Sequence, residues 1–222
     1  SEINGLTQGS TYHIVFETRQ GTDLSGVREG IEAVLASVDN SLSIYNKNSV
    51  ISLVNSNKSD MTDPLFIDIF RRSEEVWEKS NGAFDITIGP LVRAWGFGPD
   101  AMRRFDETRL DSLLALVGME KVRLDGERVV KEDPDMFIDV NAIAQGYTVD
   151  LVVDYLDGKG FDNCLVEVGG EVRARGNKDG YGWRVGIDRP SDGNFSPGAD
   201  LQAIIKLKNI SLATSGNYRK FY

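Results

Sequence analysis

Cysteine and histidine are almost missing from this 222-residue chain, which holds one of each, Cys164 and His13. A single cysteine excludes an intramolecular disulfide and any multi-cysteine zinc or iron–sulfur site. A single histidine excludes an HExxH zinc site and argues against a Ser-His-Asp triad. Long apolar runs are absent too: no window approaches 18 consecutive apolar residues, so the sequence offers no membrane-spanning helix. Positive charge is in deficit, with 25 Lys+Arg against 34 Asp+Glu and a net charge of −9. That balance argues against nucleic acid as a partner, because a phosphate-binding surface needs clustered Lys and Arg. What is present is ordinary for a folded domain: 41% hydrophobic and 9% aromatic residues, which excludes disorder and collagen-like repeats. Chemistry in such a chain rests on carboxylates, amides, hydroxyls and backbone.

Periodicity gives the elements. Ser10–Glu17 is β-branched and aromatic and predicts a strand. Val27, Ile31, Val34, Leu35, Val38 and Leu42 recur at helical spacing, so a helix is expected from Asp23 or Ser25 onward. Residues 43–60 are polar and loop-like, with a short apolar insert. Asp63-Pro64 opens a second helix to about Lys79, with Phe66, Ile69, Phe70, Val76 and Trp77 inward and Asn81-Gly82 as its stop. Residues 82–99, rich in Gly and aromatics, predict a structured loop. Thr108-x-x-Asp111 resembles a cap for a short helix to Val117. Asp125-Gly126 marks a hairpin between Val122–Leu124 and Arg128–Lys131. Phe137–Val140 predicts a short strand feeding a helix over Asn141–Leu156. Strands follow at Cys164–Val168, Val172–Ala174, Trp183–Ile187, Leu201–Leu207 and Ser211–Thr214. Helices dominate the first half and strands the second, which is the pattern of an α+β fold.

Four stretches could carry chemistry. In the first, Phe137 to Asp150, a strand enters a helix through small residues, and free N–H groups at a helix start suit a phosphate. Asp139 there either caps the helix or offers hard oxygen to a ligand. The second combines Gly82-Ala83-Phe84-Asp85 to Pro90 with Trp95-Gly96-Phe97-Gly98. Its glycines let backbone reach a flat ring on which aromatics stack; alternatively Trp95 and Phe97 plug the core. The third, Val166-Glu167-Val168-Gly169-Gly170-Glu171, is a hairpin turn or an opening for a cofactor; it is not a dinucleotide fingerprint, since no G-x-G-x-x-G opens a helix. The fourth, Ala213 to Tyr218, is a strand end with hydroxyls and an amide. His13 and Cys164 are expected to be structural, Cys164 as a small buried hydrophobe.

In this order and spacing, the stretches resemble the ApbE family, the FAD:protein FMN transferases. The resemblance runs from Gln8-Gly9-Ser10-Thr11-Tyr12 through Asp39-Asn40-Ser41-Leu42-Ser43-Ile44-Tyr45, GAFDITIGPL, WGFG, DVNAIAQGYTVD and EVGGE to ATSGNY, nearly the whole chain. It implies a single α+β domain related to the T-fold, spanning residues 1–222 and C-terminally incomplete. It also implies Mg²⁺-dependent cleavage of the FAD pyrophosphate, with FMN passed to a threonine of an acceptor protein and AMP released. Such an acceptor would be a flavoprotein such as a subunit of a redox-driven ion pump. FAD pyrophosphatase activity and non-catalytic FAD binding are the alternatives. By position, Gln8 stands where the family usually has a flavin-contacting Met, and Tyr45 matches its S-x-Y tyrosine. Ala83, Phe84, Asp85 and Asp139 match FAD-lining residues, and Gln145 stands where Lys or Glu is commoner. Gly169, Gly170 and Thr214 match motifs around the flavin. Ala142 falls at a metal position, where only its backbone carbonyl could serve. The family's H-x-x-P-x-T-G and D-A-x-x-T elements, which carry further Mg²⁺ ligands, are not among these residues. Members of the family imply an exported protein on the periplasmic face, lipid-anchored to the inner membrane.

Overall fold

A computed structural model describes residues 1–98, 107–190 and 198–215. It contains strands β1 (Glu2–Thr7), β2 (Ser10–Phe16), β3 (Val122–Asp125), β4 (Arg128–Lys131), β5 (Cys164–Val168), β6 (Glu171–Arg175), β7 (Trp183–Asp188), β8 (Leu201–Leu207) and β9 (Ile210–Leu212). The helices are α1 (Val27–Leu42), α2 (Val50–Asn55), α3 (Pro64–Lys79), α4 (Gly89–Ala94), α5 (Leu110–Leu114) and α6 (Asn141–Gly158). The class is α+β with antiparallel pairing throughout the described strands. The chain divides into two compact units, residues 1–34 with 145–222, and residues 35–144.

The first unit is layered on a five-stranded sheet of order β1-β2-β5-β6-β9. Alternation decides its two faces. Tyr12, Ile14, Phe16, Cys164, Val166 and Val168 share one face, and all are buried. Arg173 and Arg175 lie on that same face by register and pair with Asp150 and Asp157 of α6, so α6 covers it. Val172 and Ala174 lie on the opposite face and pack with Trp183 and Leu207 of the β7–β8 ribbon, joined by Val15 and Leu165. Each such side chain removed from water contributes about 1.5–3 kcal/mol. His13 sits on this second face, half-buried, its Nε2 2.9 Å from Glu2 Oε1, a structural place as expected. Cys164 is fully buried, and burial pushes its thiol up to about 11.

The second unit packs its helices with the β3–β4 hairpin. Asp63 caps α3 by accepting from Phe66 N–H at 2.8 Å, and Pro64 fills the first turn, where its missing N–H costs nothing. Phe66, Ile69 and Phe70 are buried as their spacing predicts, but Ser73 completes the face, donating to Ile69 O, while Val76 is 37% exposed. The register Asp125↔Arg128 closes the expected hairpin.

Several expectations change. β1 is an additional strand; weak strand formers, Asn4 and Gly5, hide it from propensity. Helix α2 stands inside the expected loop, capped by Ser49, whose hydroxyl accepts from Ser52 N–H at 3.1 Å. The segment 82–99 is partly helical, with a 3₁₀ turn at Ile86–Ile88 and then α4. Arg109, not Thr108, occupies the cap position of α5, without a side-chain cap bond, and that helix ends at Leu114. Residues 137–140 belong to no strand and no helix, so the expected strand is not formed.

Candidate functional site

In the first unit, three connections meet at one end of the five-stranded sheet. Thr7 pairs with Ser10, leaving Gln8-Gly9 as a two-residue turn with φ of 50° and 68°. Val168 pairs with Glu171, leaving Gly169-Gly170 as another, with φ of 61° and 105°. The double positive φ suits such tight hairpins, and glycine adopts it without strain. Gly169 N–H donates to Thr11 O at 3.0 Å, which ties the second turn to the start of β2. Leu212 pairs with Val172, so Thr214 leaves β9 at this same end; a Cβ on Gly170 would lie 3.9 Å from its Oγ1.

Helix α6 supplies the floor of this end. Gln8 Nε2 donates to the buried Thr148 Oγ1 at 2.7 Å. One turn earlier, Gln145 lies so close to the glycine turn that a Cβ on Gly169 would collide with its side-chain amide. Five expected residues, Gln8, Gln145, Gly169, Gly170 and Thr214, therefore come together. Thr148 was not anticipated; its signal was the i, i+3 spacing from Gln145, which puts both on one helix face. Glu167 was also missed. Its Oε1 accepts from Gly170 N–H at 2.7 Å, and burial pushes its carboxyl up. Both glycine N–H groups are thus engaged by protein acceptors.

The second unit holds the other candidates. Asp85 Oδ1 accepts from Thr87 N–H at 2.7 Å and Thr87 Oγ1–H at 2.6 Å, and its Oδ2 accepts from Met119 N–H at 3.0 Å. Its carboxylate ties down the 3₁₀ turn and the 118–119 loop. Ala83 is exposed and Phe84 half-buried on the approach to it. Tyr45, in the turn after α1, is 61% exposed. Trp95 and Phe97 are 64% and 45% exposed, so they do not plug the core.

Asp139 is 8% exposed, and its N–H donates to Ile86 O at 2.7 Å. Oδ1 accepts from Asn141 N–H at 2.9 Å, a turn bond two residues along; Val140, whose carbonyl takes the first helical bond from Ala144 N–H, holds the cap position, so Asp139 is not the cap of α6. Burial pushes the carboxyl above the usual aspartate range, and that N–H pulls partly back. Oδ2 has no hydrogen-bond partner among the described residues. In the first turn of α6, Ile143 and Ala144 N–H both donate to Val140 O, leaving the N–H of the exposed Ala142 for other uses. Among the described residues, no group of three or more His, Cys, Asp or Glu could hold a metal ion. The Ala142 carbonyl is a single neutral oxygen and by itself does not supply the one or two carboxylates through which Mg²⁺ is usually held, so these residues alone do not fit the cation.

Comparison with known proteins identifies the family and the fold. A family model described as the ApbE family matches residues 8–222. An FAD:protein FMN transferase of Vibrio cholerae is 34% identical over 229 residues, covering 99% of this chain and 67% of that protein. One from Haemophilus influenzae is 32% identical over 234 residues, covering 99% and 66%. The solved structure of the flavin transferase ApbE from Vibrio cholerae superimposes with a TM-score of 0.87 at 32% identity, over 100% of this chain and 73% of that one. The apo flavinyl transferase ApbE of Pseudomonas stutzeri gives 0.86 at 31%, over 100% and 72%. The chain spans about two thirds of the length of the curated relatives it matches.

Proposed function

The chain belongs to the ApbE family, and from that premise we propose that it carries the FAD-binding part of an FAD:protein FMN transferase. The observation that carries this reading is the gathering of Gln8, Gln145, Gly169-Gly170 and Thr214 at one end of the sheet. Two hairpin turns with no Cβ at three of their four positions leave backbone exposed to a flat ring, and amides and a hydroxyl flank it. In the second unit, Asp139 presents Oδ2, Ala142 a free N–H, and Tyr45 an exposed ring for stacking.

The reaction is transfer of FMN to a threonine hydroxyl. A bond forms between the hydroxyl oxygen and the FMN phosphorus, the P–O bond to the bridging oxygen breaks, AMP leaves with that oxygen, and the hydroxyl proton is released. Such transfers gain their rate from positioning and electrostatics rather than from an enzyme nucleophile. Magnesium dependence belongs to this reading through the family resemblance. The acceptor would be a flavoprotein such as a subunit of a redox-driven ion pump. An exported, lipid-anchored protein on the periplasmic face is part of the same proposal. No described helix is long and apolar enough to cross a membrane.

Full-length protein incubated with FAD and Mg²⁺, with and without a candidate acceptor, tests the reading. Covalently fluorescent acceptor on a denaturing gel supports transfer. FMN and AMP without labelled acceptor would make it a pyrophosphatase, and intact FAD throughout would leave a binding protein. Fractionation of cells with and without detergent tests the location.

A further inference from the structure

The run from Met136 to Val140 poses an accounting problem. It is buried, with Met136, Ile138, Asp139 and Val140 all shielded from solvent. Yet it lies in no sheet, so its backbone N–H and C=O groups lack the partners a neighbouring strand would give. Side chains take that place. Asn55, the last residue of α2, donates from Nδ2 to Ile138 O at 2.8 Å and accepts from Ile138 N–H at Oδ1, also at 2.8 Å. A carboxamide carries a donor and an acceptor side by side, so it can satisfy both backbone groups of a single residue, as a paired strand does. Lys131 adds its ammonium to Pro134 O at 2.9 Å, Met136 O at 3.2 Å and Val54 O at 3.3 Å. The next residue along from Ile138 is Asp139, whose own N–H is fixed by Ile86 O.

We propose that Asn55 is a positioning residue for FAD binding, acting through Asp139: its amide substitutes for a strand and fixes the backbone that aims the Asp139 carboxylate and starts α6. This inference rests on the FAD-binding reading of Asp139. Leu at position 55 would leave both Ile138 groups unpaired in a buried place, and Asp would keep the acceptor but set a carboxylate against the Ile138 carbonyl.

The test is a double-mutant cycle read by titrating FAD into the full-length protein. Asn55→Leu and Asn55→Asp should each weaken FAD binding about tenfold, which is about 1.4 kcal/mol. Asp139→Asn should weaken it as well. The double variant Asn55→Leu with Asp139→Asn should bind no worse than Asp139→Asn alone, because the route is already cut. Thermal unfolding without FAD reports the fold separately, and the near-isosteric Asn55→Asp serves if Asn55→Leu does not fold. Fold losses that multiply in the double variant would overturn the inference while leaving Asp139 as a contact. Unchanged affinity in both Asn55 variants would do the same. A parent protein that binds no FAD would sink the underlying reading and this inference with it.

Discussion

Asp139 concentrates the tension between structure and ligand. One oxygen holds Asn141 N–H in the turn that enters α6 and the other is unpartnered among the described residues, in a setting where burial already disfavours its charge. Asp139→Ala should therefore weaken FAD binding by about tenfold or more, since hydrogen bonds to a charged group contribute roughly 1.5–3 kcal/mol; a titration with unchanged affinity would refute the contact. Tyr45→Ala should reduce the quenching of flavin fluorescence on binding, because its exposed ring would be a stacking surface in the proposed site. Glu167 gives a pH prediction. Burial raises its carboxyl, partly countered by the Gly170 N–H and the charge of His13. The folded state then holds a proton at pH values where the unfolded chain has released it. Its contribution to stability is largest below the unfolded value and falls as pH rises through the folded one. Glu167→Gln keeps the acceptor for Gly170 N–H, so the unfolding temperature of this variant should fall less than that of the parent between pH 5 and pH 8.

At the scale of elements, the β5–β6 turn and α6 are fitted to one another. Gly169 has positive φ, and a Cβ there collides with Gln145. Gly169→Ala should cost roughly 1–3 kcal/mol in denaturant unfolding, the usual range for overpacking, and should lower FAD affinity as Gln145 is displaced. The short helix α2 works in a comparable way in the second unit. It is six residues long, too short to be stable by itself, yet it delivers Asn55 to a backbone that has no strand beside it.

For the whole molecule, the layers of the first unit seal Cys164 between the sheet and α6, with its thiol pushed up to about 11. Labelling by a thiol reagent at pH 8 should be negligible in the native protein and complete in denaturant. Ready labelling without denaturant would show that α6 does not hold its place on the sheet. The same scale shows how much was legible beforehand. The α+β class, the buried face of α1 and the capped start of α3 were written in period and cap chemistry, both of which are local. The ordered motifs also marked Gln8, Gln145, Gly169, Gly170 and Thr214 as candidates. Sequence alone marked which residues were candidates to bind and that these 222 residues carry one histidine and one cysteine. Only the tertiary structure decided that three distant connections end side by side, that Thr148 holds Gln8, and that residues 137–140 are supported by an amide and an ammonium instead of a strand. The physical reason is that periodicity reports which face of an element is apolar, whereas hydrogen-bond partners far apart in the chain are chosen by packing, and no local pattern encodes that choice.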